Sequence, residues 1–248
     1  MNKKPFLYFL LLALLAGFAS GCTGKKSENK KPDAVRETAN EAASAPAPAP
    51  VIGQETQLLL KDLEDNGDYV NSQYFPSLIK ASVVNGEAGK NNLILDLRSP
   101  ELFAQGHIKG AVNKKFEELP DYFVTGIKPF EFDRIILVSD DGQLSSYTTS
   151  LLRMIGYGNV FAMRWGMSGW NKKYAEEGWL KGVSGNYEDR LEVTENATPA
   201  AAGMPLISTG LTTGKEIGEA RFKKIFEDGT GEIMITADEV FNNPESIL

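Results

Sequence analysis

From Leu93 to Glu177 the chain alternates short apolar runs with stretches of helical periodicity. Leu93-Ile94-Leu95-Asp96-Leu97 and Arg134-Ile135-Ile136-Leu137-Val138 are nearly continuous apolar runs of strand length, the pattern of strands buried on both faces. Ala111-Val112 and Val160-Phe161-Ala162-Met163 predict two further strands. Between them lie predicted helices. One starts at Ser99-Pro100-Glu101, with Ser99 as cap and Pro100 in the first turn. A short one covers Phe116 to Phe123, and another runs from Ser145 to Ile155 with Leu151, Leu152 and Ile155 inward and Gly156 and Gly158 ending it. A last one spans Met167 to Glu177 and bears Trp170 and Tyr174, while Ser139 to Leu144 is a loop. Upstream, Leu58, Leu59 and Leu63 share one face of a predicted helix over Gln54 to Glu64. Strands alternating with helices at this spacing predict an α/β fold, a central parallel sheet with helices on both faces.

The flanks have other patterns. Lys3 and Lys4 precede an apolar run from Phe6 to Phe18, and Ala19-Ser20-Gly21 leads directly to Cys22. The run of about 13 residues is too short to span a bilayer permanently, and its three-part layout is that of an export signal. It resembles a bacterial lipoprotein signal, in which the cysteine is acylated and becomes the mature N-terminus; Ala19 stands where that pattern prefers Leu. Residues 22–53 then form a Lys-rich and Ala-Pro-rich tether with too little apolar material for a core. At the other end, residues 182–234 are rich in Gly, Thr and Ala and predict a linker with a poorly packed C-terminal extension. Ile235-Thr236-Ala237-Asp238-Glu239-Val240 is similar to Ile79-Lys80-Ala81-Ser82-Val83-Val84, so residues 235–248 are expected to begin a truncated second repeat.

Composition narrows the chemistry. The 248 residues are 42% hydrophobic and carry a formal charge of −7. Loss of Lys3 and Lys4 with the leader reduces 26 basic residues to 24, against 33 acidic. Such a surface argues against nucleic acid as a partner, because phosphate binding needs a basic face. Cys22 is the one cysteine and His107 the one histidine. An internal disulfide and the usual His/Cys zinc clusters are therefore excluded, and no metal or cofactor is expected. Gly210 to Glu216 is one residue short of a phosphate loop, and Asp228 to Ile233 lacks the first and last ligands of a calcium loop.

Four segments carry a family resemblance. Leu95-Asp96-Leu97-Arg98-Ser99-Pro100-Glu101-Leu102-Phe103 and Gly106-His107-Ile108-Lys109-Gly110-Ala111-Val112-Asn113 look like the two leading motifs of the rhodanese family. Leu152 to Val160 and Trp165-Gly166-Met167-Ser168-Gly169-Trp170 resemble its closing motifs. The resemblance covers about residues 69–181, with residues 54–68 as a short helix before it. It implies sulfur transfer through a persulfide on a cysteine after the fourth strand, cradled by loop N–H groups. Here the matching loop is Ser139-Asp140-Asp141-Gly142-Gln143-Leu144, with serine at the nucleophile position and Asp140 and Leu144 where basic groups often stand. A hydroxyl cannot form a persulfide. Asp96 and Arg98 resemble the family's structural acid–base pair, and His107 lies in a motif that is structural there. Trp165 and Trp170 are expected to pack in the core and at its edge.

These residues predict a catalytically inactive module, lipid-anchored to a bilayer through Cys22 and facing the periplasm or exterior, the outer membrane favoured. Its partner is expected to be an envelope protein or a small anion. The competing expectation is the non-catalytic half of a tandem thiosulfate- or mercaptopyruvate-type sulfurtransferase whose cysteine lies outside this chain.

Overall fold

The computed structural model describes residues 52–67, 77–195, 197, 206–231 and 233–243. Cys22, the leader, nearly all of the tether, and Ile247 and Leu248 lie outside the described residues. Five parallel strands form one sheet in the order β1 (Leu78–Ile79), β5 (Val160–Met163), β4 (Arg134–Val138), β2 (Asn92–Asp96), β3 (Val112–Asn113). Helices α1 (Gln54–Asn66), α2 (Ala81–Gly86), α3 (Pro100–Gln105), α4 (Leu119–Asp121), α5 (Gln143–Met154), α6 (Gly166–Trp170), α7 (Lys172–Glu177), α8 (Gly214–Asp228) and α9 (Ala237–Asn242) complete the described part.

The pleat sorts the apolar runs onto two faces. Leu95, Leu97, Ile135, Leu137 and Val160 face one core with Phe116, Leu119, Phe123, Leu151 and Leu152. Ile136, Val138 and Met163 face the other, with Ile79, Val84, Ile108 and Met167. Both faces are covered, which is why β2 and β4 read as unbroken apolar runs.

The elements differ from expectation in several places. An aspartate side-chain turn, Asp141 Oδ1 accepting from Gln143 N, and Gly142 (φ +94°) let α5 begin at Gln143 rather than Ser145. The helix expected over 167–177 breaks at Asn171, whose extended backbone ends α6 while its side chain accepts from Lys173 N and caps α7. The segment expected as one helix over 116–123 passes from a 3₁₀ turn through α4 into a π turn at Tyr122–Gly126.

The largest correction lies in the stretch expected to be linker. Residues 214–228 form the 15-residue helix α8, capped by Thr213, whose Oγ1 accepts from Glu216 N. Gly218, Phe222 and Phe226 repeat at one-turn intervals on its inner face, and Phe222 and Phe226 enter the same core as Phe116 and Leu119. The Phe116 and Phe226 rings lie 4.6 Å apart. Gly214 lets the backbones of α8 and α1 meet, because a Cβ there would collide with Leu58 O and Asp62 Cβ. Glu55 of α1 accepts from Thr209 N (2.6 Å), Thr209 Oγ1 (2.7 Å) and Gly210 N (2.9 Å), pinning the returning chain. By contrast α9 buries no residue. It does repeat a local shape: α2 and α9 are both six residues long, begin at alanine and follow an extended capping residue, Lys80 or Thr236.

Candidate functional site

The site lies beyond the carboxyl ends of β2, β4 and β5. Asp96 is the last residue of β2 and pairs in register with Val138, so Asp96, Arg98 and the loop after β4 are neighbours. Arg98 and Asp96 are both buried and make a forked ion pair: Nε to Oδ1 at 2.9 Å and Nη2 to Oδ2 at 2.7 Å. Nη2 also donates to Gly106 O at 2.8 Å, which accepts from Tyr174 Oη at 3.1 Å. The Arg98 guanidinium lies over the Tyr174 ring, 5.3 Å from its centroid. Asn113 Nδ2 donates to Asp96 O and Arg98 O, tying β3 to the same knot. Charge buried this way is costly unless its hydrogen bonds are made; Nε and Nη2 are satisfied, Nη1 is buried with no hydrogen-bond partner among the described residues, and the pair anchors the carboxyl end of β2.

Ser139 follows β4 directly and is 3% exposed. Its Oγ accepts from Gly142 N at 3.1 Å and Ser145 N at 3.3 Å, and contacts Ser145 Oγ at 3.2 Å. Gln143 N donates to Asp141 Oδ1 at 2.9 Å, and Gln143 Nε2 to Asp141 Oδ2 at 3.0 Å. Two loop amides, Gly142 N and Gln143 N, and the α5 amide of Ser145 are therefore engaged by side chains of the loop. The loop is also stapled from outside: Met167 N donates to Ser139 O at 2.8 Å and Ser168 N to Asp140 O at 2.9 Å. Gly166 sits so close to Ser139 O that no Cβ fits there. Leu144, the second residue of α5, packs against the sheet core.

Asp140 reaches the surface at the loop mouth. The protein around it pushes its carboxyl above the ordinary aspartate range; Arg98 opposes this, while Asp141 and Asp96 add to it. The loop mouth thus presents the carboxylates of Asp140 and Asp141. Among the described residues no group of three or more His, Cys, Asp or Glu side chains is placed to hold a metal ion.

His107 takes no part. Its ring stacks on Phe103 at 3.8 Å with an interplanar angle of 6°, and Nδ1 lies 2.9 Å from Phe103 O. No histidine or carboxylate hydrogen-bonds the Ser139 hydroxyl among the described residues, so Ser139 has no base.

Trp170 packs against the core below β1 and β4, as expected. Trp165 does not. It is 49% exposed at the loop mouth, in a left-handed backbone conformation (φ +65°) that no other described non-glycine residue adopts. The Arg164 guanidinium lies over its ring at 5.5 Å, and its other ring neighbour is Trp179, also at 5.5 Å. The sequence signal for this was a bulky residue squeezed between the end of β5 and Gly166, where a tight strand-to-helix turn was due.

Residues 81–173 match the family model described as the rhodanese-like domain. An uncharacterized protein of Buchnera aphidicola subsp. Baizongia pistaciae (strain Bp) is 29% identical over 82 residues, 32% of this chain and 54% of that protein's length. The match thus spans about half of that relative. Among solved structures, a rhodanese-related protein from Thermoplasma volcanium aligns with 20% identity over 42% of this chain and 94% of its own, at a TM-score of 0.35. A rhodanese-like domain protein from Staphylococcus aureus aligns with 20% identity over 39% and 92%, also at 0.35.

Proposed function

With residues 81–173 a rhodanese-like domain, we propose that this domain is a catalytically inactive binding module, held at a membrane outside the cytoplasm by acylation of Cys22. The observation that carries the reading is Ser139. Its hydroxyl stands at the head of the loop after β4, and two amides, Gly142 N and Ser145 N, converge on that hydroxyl where the family holds sulfur. Persulfide chemistry needs a thiolate that attacks and then holds sulfur. A buried serine without a base supplies neither. Asp140 and Asp141 add repulsion toward an anionic sulfur donor, about 1 kcal/mol or less each in a partly solvated mouth. The same argument weighs against a small anion as ligand and favours a protein partner.

The membrane part of the reading rests on the charged start, the apolar run and the small residues before Cys22. Two or more acyl chains anchor stably, since each buried CH₂ contributes about 0.8 kcal/mol. The test has two arms. The purified chain is expected to show no thiosulfate-to-cyanide sulfur transfer above buffer, and turnover by the unmutated chain would end the inactive reading. Palmitate labelling is expected in the host cell and absent in Cys22→Ala; a labelled mutant would end the anchor.

A further inference from the structure

Trp165 is the one described non-glycine residue with a positive φ, and it spends that conformation on an exposed ring. A left-handed backbone costs an ordinary L-residue roughly 1–2 kcal/mol, and such strain persists where the surroundings hold it in place. Here they do. Gly142 packs its Cα against Trp165 N, where a Cβ would sit 3.0 Å away, and Gly166 packs against Ser139 O. The degenerate loop and the turn after β5 thus lock together backbone to backbone, and the product of that lock is a tryptophan standing out of the surface.

The ring forms a ridge between two hollows. One, of about 420 Å³, is mostly apolar and runs between Trp165, Leu78, Gly142 and Ser146, with Asp141, Gln143 and Arg164 completing its wall. The other, of about 300 Å³, shares Trp165 and Arg164 with it and is lined also by Lys80 and Ser82. Trp179 extends the ridge, and the exposed Leu180 and Val183 follow it. Among the described residues Lys80, Arg164 and Lys181 pair with no carboxylate, whereas all five lysines of α7 and α8 do. In a chain of net charge −7, the Lys80 and Arg164 side of the ridge is cationic and carries no carboxylate, whereas Asp141 stands at the apolar hollow, so only the former side suits an acidic group. Tryptophan and arginine are the residues most enriched where protein interfaces concentrate their energy.

We propose that this ridge docks an acidic peptide segment of a partner protein: an apolar side chain enters the hollow beside Leu78, and carboxylates meet Arg164 and Lys80 across Trp165. The inference rests on the binding-module reading only in placing contact at the loop mouth, and its test does not involve sulfur transfer or acylation.

The test pans a phage-displayed library of random dodecapeptides against the full chain in detergent. One enriched peptide is then titrated by tryptophan fluorescence. Enriched peptides are expected to combine Asp or Glu with an apolar residue, and to bind about tenfold or more weakly at high salt and to Arg164→Glu. Trp165→Gly is the decisive variant. It relieves the backbone strain, so its Tm is expected to be unchanged or a few degrees higher, while peptide affinity falls about tenfold or more. Enrichment of neutral or basic peptides would overturn the proposal. So would unaltered affinity in Trp165→Gly, a Tm drop large enough to explain lost binding by unfolding, or self-association through this face that the peptide does not displace. Turnover in the sulfur-transfer assay would remove the inactive reading and leave this surface standing.

Discussion

At the scale of single residues, two ion pairs in this domain have opposite characters. Asp96–Arg98 is fully enclosed, with the arginine fork also bound to Gly106 O. Removing one partner leaves the other charged and buried, so Asp96→Ala is expected to destabilise by about 3–5 kcal/mol, read as a shift in urea midpoint. A change below about 1 kcal/mol would mean that Arg98 finds water in its place. Glu87 is different. It accepts from Arg134, Lys90 and Asn92 at the start of β2, and its carboxyl is pulled down to about 2, chiefly by the Arg134 bond. A depressed acid contributes stability above its unfolded value of about 4.5, and that contribution fades as pH falls toward 2. Arg134 is partly solvated, so the expected loss is only about 1 kcal/mol. Glu87→Gln should flatten the fall in stability between these pH values relative to the parent chain. An unchanged acid limb would assign it to other carboxylates.

At the scale of elements, legibility followed the burial pattern. β2 and β4 were visible because both faces are covered, which makes every position apolar. β1 was invisible because two residues carry no period, and only pairing with β5 defines it. The loop expected over Ser139 to Leu144 does follow β4 but ends at Gly142, because α5 starts at Gln143, and its hydrogen bonding is not legible in sequence, since it depends on Gly142 and the α6 contact. Trp165 was misjudged because aromatic residues at helical offset normally face inward, and the turn before α6 rotates this one outward. α8 was missed because Gly214 and Gly218 suggest a loop when seen alone. In the fold they are the places where α1 and α8 approach. Gly214→Val is therefore expected to part the two helices and lower Tm by several degrees, measured by calorimetry. Gly210, which sits in open space with φ +75°, should respond to valine through its own backbone only. If both variants melted alike, the close approach would not be what joins the helices.

At the scale of the molecule, the described part depends on a segment far outside the residues that resemble the family. Phe222 and Phe226 come from α8, about 40 residues beyond the end of α7, and close the core over Phe116, Leu119 and Phe123. Burying one such ring contributes about 2–3 kcal/mol by transfer from water. Losing two of them, with the newly exposed faces of Phe116 and Phe123, takes away a large share of the roughly 5–15 kcal/mol that stabilises a domain. A chain ending at Lys181 holds all five strands and α7, so a self-sufficient sheet domain predicts that it melts like the parent. The packing of α8 predicts instead a chain that is partly unfolded at 25 °C, with slow-exchanging amides lost from β2 and β4. Removing only residues 237–248 should shift Tm very little, because α9 buries none of its residues. Limited proteolysis gives the same contrast: cleavage is expected first within the exposed stretch after Gly182, while α8 stays bound to the core until the sheet itself melts. Early loss of α8 without loss of the sheet would show that Phe222 and Phe226 cover a core already closed.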